Sequence, residues 1–462
     1  MKEILEKSAF LIEIGGKTFM NTLSEQEIRT FTSILEDLIA IPSVKGKPEE
    51  DAPYGLYPKK ALTYLLNRAK EDGFITENVG NKAGYIQWGN KGPLLGILGH
   101  LDVVPEGSDW KTDAFQLTTV GDRFVGRGVI DDKGPVIASY MAMLRFKEKN
   151  PDPSYRVRLI VGTDEEHGSS CMTRYCETEE LPDIGFTPDA EFPCIFSEKG
   201  IYQMHFEEKP SGEFTLHGGN AANMVPPYCE FIDLTTSRGL FTKGVQSHAS
   251  HPDLGINAIE LMLDKVPEPF KKSSGLLSLM DKYFRTDSKT KFSSFFESDV
   301  SGAMTTNVGI VNISKDTARL HVDIRFPVKY SPEEVRAKLE SIASEFGLTV
   351  VDDSVQAPLF KDKDSKQIST MLDIFDRYRD SFVYTSEEKE SRDAFIASPS
   401  EPLAIGGGTY ARTMPNIVAF GPQLPWAKDE CHQANESILK ENLYLLVPMY
   451  EEALVLLGSV LA

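Results

Sequence analysis

The sequence predicts an α/β domain, a sheet flanked by helices, interrupted by a smaller inserted α+β domain of ferredoxin-like type. Helical and strand patterns alternate through the first 200 residues, the texture shifts near Gly200 to shorter alternating segments, and longer helical patterns return from about Pro358. The domains are therefore placed at 1–200, 201–357 and 358–462, with the first and last forming one body. A chain of 462 residues also exceeds the size at which a single core stops growing, so a second core is expected.

In the first domain, residues 27–41 read as an amphipathic helix stopped by Pro42, and residues 59–71 as a second helix ended near Gly73. Residues 84–88, 94–98 and 157–161 are short apolar runs bounded by Gly, Asp or Asn and read as strands, with the helix-like stretch 135–149 between the last two. In the inserted domain, 213–216 and 228–234 read as strands and 257–265 as a helix. Residues 319–326 alternate, placing Leu320, Val322, Ile324 and Phe326 on a buried face and Arg319, His321, Asp323 and Arg325 on the other. Ser331 and Glu334 form a capping box with Pro332 at the first helical position, and Gly347 is placed to end that helix. The expected order is strand, helix, strand, strand, helix, strand. A glycine-rich turn, Gly406-Gly407-Gly408, follows where the first domain resumes.

Composition narrows the function classes. With 41% hydrophobic and 26% charged residues the chain reads as an ordinary soluble protein, and no run approaches the ~20 uninterrupted apolar residues of a membrane span. The nearest, 442–457, is broken by Pro448, Glu451 and Glu452. Residues 1–7 carry acidic groups and lead into no long apolar core, unlike a secretory signal, so a cytoplasmic location is expected. Cys171, Cys176, Cys194, Cys229 and Cys431 are odd in number, scattered and without a CxxC pair, so neither a disulfide framework nor a thiolate zinc knuckle is expected. A net charge of -20 without any basic run interleaved with aromatics argues against nucleic acid and for small solutes or peptides as partners.

The chemistry-bearing residues follow apolar or glycine-rich elements. His100 and Asp102 stand where the run 94–98 gives out, two residues apart, so that in an extended segment they share a face at the strand's carboxyl end. Asp131 and Asp132 occupy a glycine-bounded turn before a helix, Glu165 and Glu166 follow a strand, Asp189 follows Thr187-Pro188, and His432 lies in the run 431–436. Carboxylates with a minority of imidazoles suit a dinuclear site for zinc, manganese or cobalt, a shared carboxylate reducing the repulsion between the ions.

Together these segments resemble the M20 family of metallopeptidases, and within it the bacterial dipeptidases of the PepV type. The resemblance runs through residues 99–105, 126–135 and 186–193, Asn223-Met224-Val225-Pro226 and Gly406-Gly407-Gly408-Thr409-Tyr410, and spans nearly the whole chain. It implies a zinc-peptidase-like catalytic domain of mixed sheet and flanking helices, with the inserted domain as a lid. It implies two divalent ions, Zn2+ first and Mn2+ or Co2+ tolerated, held by His100, Asp131 as the bridge, Glu166, Asp189 and His432, with Asp102 orienting His100 and Glu165 as general base. A cis peptide between Asp131 and Asp132 is also implied. From the lid, His248 is implied to stabilise the developing oxyanion, while Asn223 and Arg325 bind the substrate's carbonyl or terminal carboxylate. Gly407 and Gly408, with Tyr410 and Arg412, are implied to bring backbone amides to the same carboxylate.

The implied activity is hydrolysis of dipeptides or short peptides with a free C-terminal carboxylate. The family's N-acyl amino acid deacylases share the site and stand as the alternative; a non-catalytic peptide-binding protein is opposed by the presence of Glu165 and every ligand. Adjacent residues on an extended segment point to opposite sides, so Glu166 can ligate while Glu165 faces a water. Taken singly, the segments have duller readings: Glu165 and Glu166 as a helix's first turn, Asp131 and Asp132 as a turn, Gly406 to Gly408 as a flexible loop. Arg325 can equally pair with Asp323 or Asp353, and His251 competes with His248. His167, His205, His217 and His321 are assigned to packing or surface, and Cys431, though beside a ligand, to no metal. Between Pro226 and Gly244 the chain is too short for the extra lid helix of PepV-type enzymes, which leaves monomer and lid-mediated homodimer both open.

Overall fold

The computed structural model describes residues 23–461 in full and the backbone of 12–14 and 17–19; the stretch 1–7, expected to be no secretory signal, lies outside the described residues. Two units divide the chain, the first comprising Met1–Phe196, Lys361–Leu403 and Thr409–Ala462 and the second Ser197–Phe360 and Ala404–Gly408. Segment 404–408, placed by the sequence with the first domain, thus groups with the second unit, where Ile405 O accepts a hydrogen bond from Lys199 N at 3.0 Å.

The first unit opens with α1 (Glu25–Ile39), two residues earlier than the sequence reading, because Ser24 and Glu27 form a reciprocal capping box. Then follow α2 (Leu56–Glu71), β1 (Ile75–Val79), β2 (Ala83–Trp88), β3 (Leu94–His100), α3 (Lys133–Lys149), β4 (Arg156–Gly162), β5 (Ile184–Thr187) and β6 (Ile195–Glu198). In the second unit come β7 (Gly200–Glu207), β8 (Phe214–Gly218), β9 (Tyr228–Asp233), β10 (Arg238–Lys243), α4 (Ala258–Leu263), α5 (Gly275–Leu279), β11 (Thr305–Ile313), β12 (Ala318–Phe326), α6 (Pro332–Ser344) and β13 (Thr349–Gln356). The first unit resumes with α7 (Lys366–Tyr378), β14 (Ile417–Ala419) and α8 (Lys440–Leu461).

The first unit's sheet is mixed. Its strand order includes β6-β14-β5-β3-β4-β2-β1, in which β14, β5, β3 and β4 run parallel and β2, β1 and β6 antiparallel to their neighbours. Every residue of β3 is buried, as a parallel strand covered on both faces requires. Helix α3 buries residues all round its circumference, from Val136 to Phe146. Helix α8 is long and apolar enough to cross a membrane, but it runs on through Pro448 and packs Leu443, Val447, Tyr450 and Leu454 into the same core as α3 and β3.

The second unit's sheet is antiparallel throughout, in the order β10-β9-β8-β11-β12-β7-β13. Strands β11-β12-β7-β13, with α4 and α5 before β11 and α6 before β13, reproduce the expected strand and helix order. The meander β8–β9–β10, inserted between β7 and α4, adds three strands that this order lacks. The hairpin of β9 and β10 fills the stretch between Pro226 and Gly244. In β12, Leu320, Val322, Ile324 and Phe326 are buried in the core as their spacing predicts. Asp323 and Arg325, on the opposite face, are buried as well.

At α6, Ser331 Oγ accepts from Glu334 N at 3.3 Å and Glu334 Oε2 from Ser331 N at 2.8 Å. Ser331→Ala is expected to lower the unfolding free energy by about 1 kcal/mol, read as a lower urea midpoint at unchanged slope.

Candidate metal centre

Parallel neighbours end together, so β5, β3 and β4 deliver the loops at their carboxyl ends to one edge of the first unit's sheet. His100 closes β3, Glu165 and Glu166 lie in the turn after β4, and Asp189 comes just after β5. The turn before α3 adds Asp131, joined to Asp132 by a cis peptide, and the loop before α8 adds His432. His100 Nε2 lies 2.9 Å from Asp131 Oδ1 and 3.7 Å from Asp189 Oδ2. Asp131 Oδ2 lies 2.9 Å from His432 Nε2, which is 3.0 Å from Glu166 Oε2. Two triads result, His100/Asp131/Asp189 and Asp131/Glu166/His432, each offering its ligand atoms within 4.8 Å and sharing Asp131 through different oxygens.

The donor chemistry fits divalent cations. His100 Nδ1 donates to Asp102 O at 2.9 Å, which leaves the Nε2 lone pair of a neutral ring aimed at the carboxylates. Glu166 Oε1 is buried without a hydrogen-bond partner. Without cations, burial and then the Asp189 charge hold the Glu165 carboxyl well above the usual range. Burial and then Asp131 push Glu166 up to about 7, and burial also raises Asp189. Against burial, which pushes it up, Asp131 is held below the usual range by His100 and His432. Asp131 and Glu166 in turn lift His432 to about 11. Acids this crowded need compensating positive charge.

The model of "Peptidase family M20/M25/M40" matches residues 96–375. The chain belongs to this peptidase family. A Staphylococcus aureus (strain USA300) relative named "Putative dipeptidase" is 33% identical over 91% of this chain and 95% of its own length. Among solved structures, an M20 family metallo-carboxypeptidase from Sulfolobus solfataricus shares the fold at 18% identity and TM-score 0.56, covering 95% of this chain and 100% of its own. The aminoacylhistidine dipeptidase from Vibrio alginolyticus does so at 14% identity and TM-score 0.56, covering 95% and 97%.

In this M20 peptidase the Asp102 carboxylate lies beside the His100 ring and also serves the turn after β4. Its Oδ1 lies 3.6 Å from His100 Nδ1, and its two oxygens accept from Glu165 N and Glu166 N at 3.1 Å each. The Asp102 backbone carbonyl orients the imidazole; the side chain fixes the turn that carries the two glutamates. Tyr410, expected beside the substrate, is fully buried, its ring edge-on to His100 at 5.9 Å and its hydroxyl 3.2 Å from Cys171 Sγ. It forms a wall behind the imidazole, a space that opens because Gly162 has no side chain.

Glu436 is a supporting residue that the sequence did not single out. Buried, it accepts from Gly128 N, Ile130 N and Asp131 N at 2.9–3.3 Å and from Arg127 Nη1 at 2.8 Å, tying the turn of Asp131 to the loop of His432. Its only sequence signal was an acidic residue four positions after His432. Asp132 packs where Gly99 leaves room, its Oδ2 accepting from His100 N at 3.1 Å. Lys133, whose pKa burial lowers to about 7, donates to Leu38 O and Ile41 O at the end of α1.

The second unit holds His248, Asn223, Arg325, Gly407 and Gly408. His248 Nδ1 accepts from Ser250 N at 3.2 Å, so the neutral ring carries its proton on Nε2. Partial burial and then Arg325 hold the ring below its ordinary pKa. Asn223, exposed, sits on the neighbouring loop, where its carbonyl accepts from Ala249 N at 2.9 Å. Arg325 is gripped by Asp323, Nε on Oδ1 at 2.6 Å and Nη2 on Oδ2 at 3.0 Å, with Nη1 3.5 Å from Gly406 O. Asp323, and not Asp353, is thus the partner it takes. Gly407 and Gly408 lie in the 404–408 segment of this unit, and half-buried Arg412 lies in the first.

Glu436→Ala leaves Arg127 charged, buried and unpaired, and is expected to cost about 3–5 kcal/mol in urea unfolding. A second expectation concerns pH. Glu166, about 7 when folded against 4.5 in the unfolded chain, binds more protons in the native state. The metal-free protein should therefore lose stability as pH rises from 4.5 to 7. Divalent cations in place of the proton should flatten this dependence in the same urea titrations.

Proposed function

We propose that the chain is a dipeptidase, hydrolysing dipeptides or short peptides that carry a free C-terminal carboxylate. The observation that supports the reading most directly is the division of Asp131 between two imidazoles, each completing a nitrogen-and-oxygen triad. His100, Asp189 and Asp131 would hold one divalent ion, and Glu166, His432 and Asp131 a second. This donor set suits Zn2+ and accepts Mn2+ or Co2+. When bound, the pair would supply Lewis-acid polarisation of the scissile carbonyl and an acidic water.

The protein's own groups carry the remaining roles. Glu165 makes no side-chain hydrogen bond among the described residues, so its carboxylate is open to take a proton from the attacking water and pass it to the leaving amine. Asp102 keeps Glu165 and Glu166 in register through their backbone amides. To the second unit, as lid, the reading assigns the substrate's polar groups. The neutral His248 offers Nε2–H to the developing oxyanion. To Asn223, Gly407, Gly408 and Arg412 the reading assigns the substrate's carbonyl and terminal carboxylate. Arg325 keeps N–H groups beyond those spent on Asp323. Tyr410 is reassigned to holding His100.

Metal-free protein reloaded with Zn2+ or Mn2+ is expected to release free amino acids from a dipeptide panel. Faster release of acetate or succinate from N-acyl amino acids would replace the reading with a deacylase. Glu165→Gln should lower kcat by about 100-fold or more while metal content stays at the wild-type level, since base and ligands are different residues. A variant that kept most of its rate would remove Glu165 from the proton transfer.

A further inference from the structure

A second cluster of imidazole and carboxylate groups lies on the second unit's sheet, on the face opposite the apolar core, and the proposed reaction does not use it. His205 on β7 and His321 on β12 are direct cross-strand partners, their ring centroids 4.7 Å apart. Their chain neighbours Met204, Phe206, Leu320 and Val322 point the other way, into the core. On the far side of β7 the register of β13 slips: Gln203 pairs with Ser354 but Met204 with Asp352, so Asp353 is an extra, bulged residue. A bulge re-aims a side chain, and this one turns a carboxylate onto both histidines. Asp353 Oδ1 lies 2.8 Å from His205 Nδ1 and Oδ2 3.1 Å from His321 Nδ1.

We propose that His205, His321 and Asp353 form a binding site for a further divalent transition-metal ion of the Zn2+ class, separate from the pair that shares Asp131. The three ligand atoms lie within 4.8 Å of one another. Their contacts of 2.8 and 3.1 Å need to open only slightly to reach the separation of about 3.3 Å between donors on a tetrahedral zinc ion. Glu207 Oε1, held by Arg319 Nε at 2.7 Å, lies 3.0 Å from His205 Nε2. This is the outer carboxylate that commonly fixes the tautomer of a metal-binding histidine, leaving the Nδ1 lone pair for the ion. His321 and Asp353 remain partly accessible, so an ion and a completing water can enter. Such an ion would clip three strands, β12, β7 and β13, across the bulge.

The test uses the full chain with its catalytic ions loaded, equilibrated against micromolar Zn2+ and freed of unbound metal. Metal analysis is expected to give one more equivalent in the wild type than in His321→Ala or Asp353→Asn, with turnover unchanged in both variants. Equal metal content in all three proteins overturns the proposal. A Zn2+-edge anomalous difference map from wild-type crystals needs no variant: a peak between His205, His321 and Asp353 supports the site, and its absence there overturns it. Because the readout is a difference in stoichiometry on the second unit, it stands or falls separately from the dipeptidase reading.

Discussion

Asp131 presents its two oxygens to two different imidazoles, and the loops at this edge of the first unit are held so that it can. A carboxylate buried among other acids is unfavourable unless positive charge meets it on every open side. His100 and His432 approach opposite oxygens at 2.9 Å, which is why Asp131 is pulled down, whereas burial pushes Glu165, Glu166 and Asp189 up. The residues at this edge form an acidic nest around a few imidazole nitrogens, an arrangement that divalent cations compensate.

Holding such a nest requires rigid loops, and buried carboxylates that accept backbone N–H groups provide them. Glu436, paired with Arg127, receives three amides of the turn that carries Asp131. Asp102 receives the amides of Glu165 and Glu166, and Asp132 that of His100. Each of these acids satisfies donors that a loop at a strand end would otherwise leave unpaired. In the second unit, Asp323 grips Arg325 in the same way, aligning a guanidinium with two charge-assisted bonds.

Legibility in the sequence followed the length and regularity of the pattern. Strands β2, β3 and β4, helices α1 and α3, and the alternation of β12 were readable because each repeats a period over enough residues. The four-residue β5 and three-residue β14 were too short to show one, and the meander β8–β9–β10 was only partly visible as two isolated runs. The start of α1 was missed because its capping box at Ser24 lies upstream of the apolar pattern. Asp353 is out of reach of any period, since a bulge is a mismatch between two strands.

By itself the sequence determined which residue types stand at the strand ends and in the loops beside them: His100, Glu166 and Asp189 after apolar runs, Asp131 in a glycine-bounded turn and His432 in a loop, with Glu165 beside Glu166. Residue identity and distance from an apolar run are local properties, and they pointed to a kind of chemistry; the family came from the resemblance of the segments to M20 peptidases. Only the tertiary structure decided that Asp102 serves the Glu165–Glu166 turn through its carboxylate and His100 through its carbonyl, that Tyr410 stands behind the imidazole, and that Glu436 joins two loops. Those assignments depend on which lone pair meets which donor across more than 60 to 300 residues of chain, and such a meeting is fixed by packing in three dimensions and not by spacing along the chain.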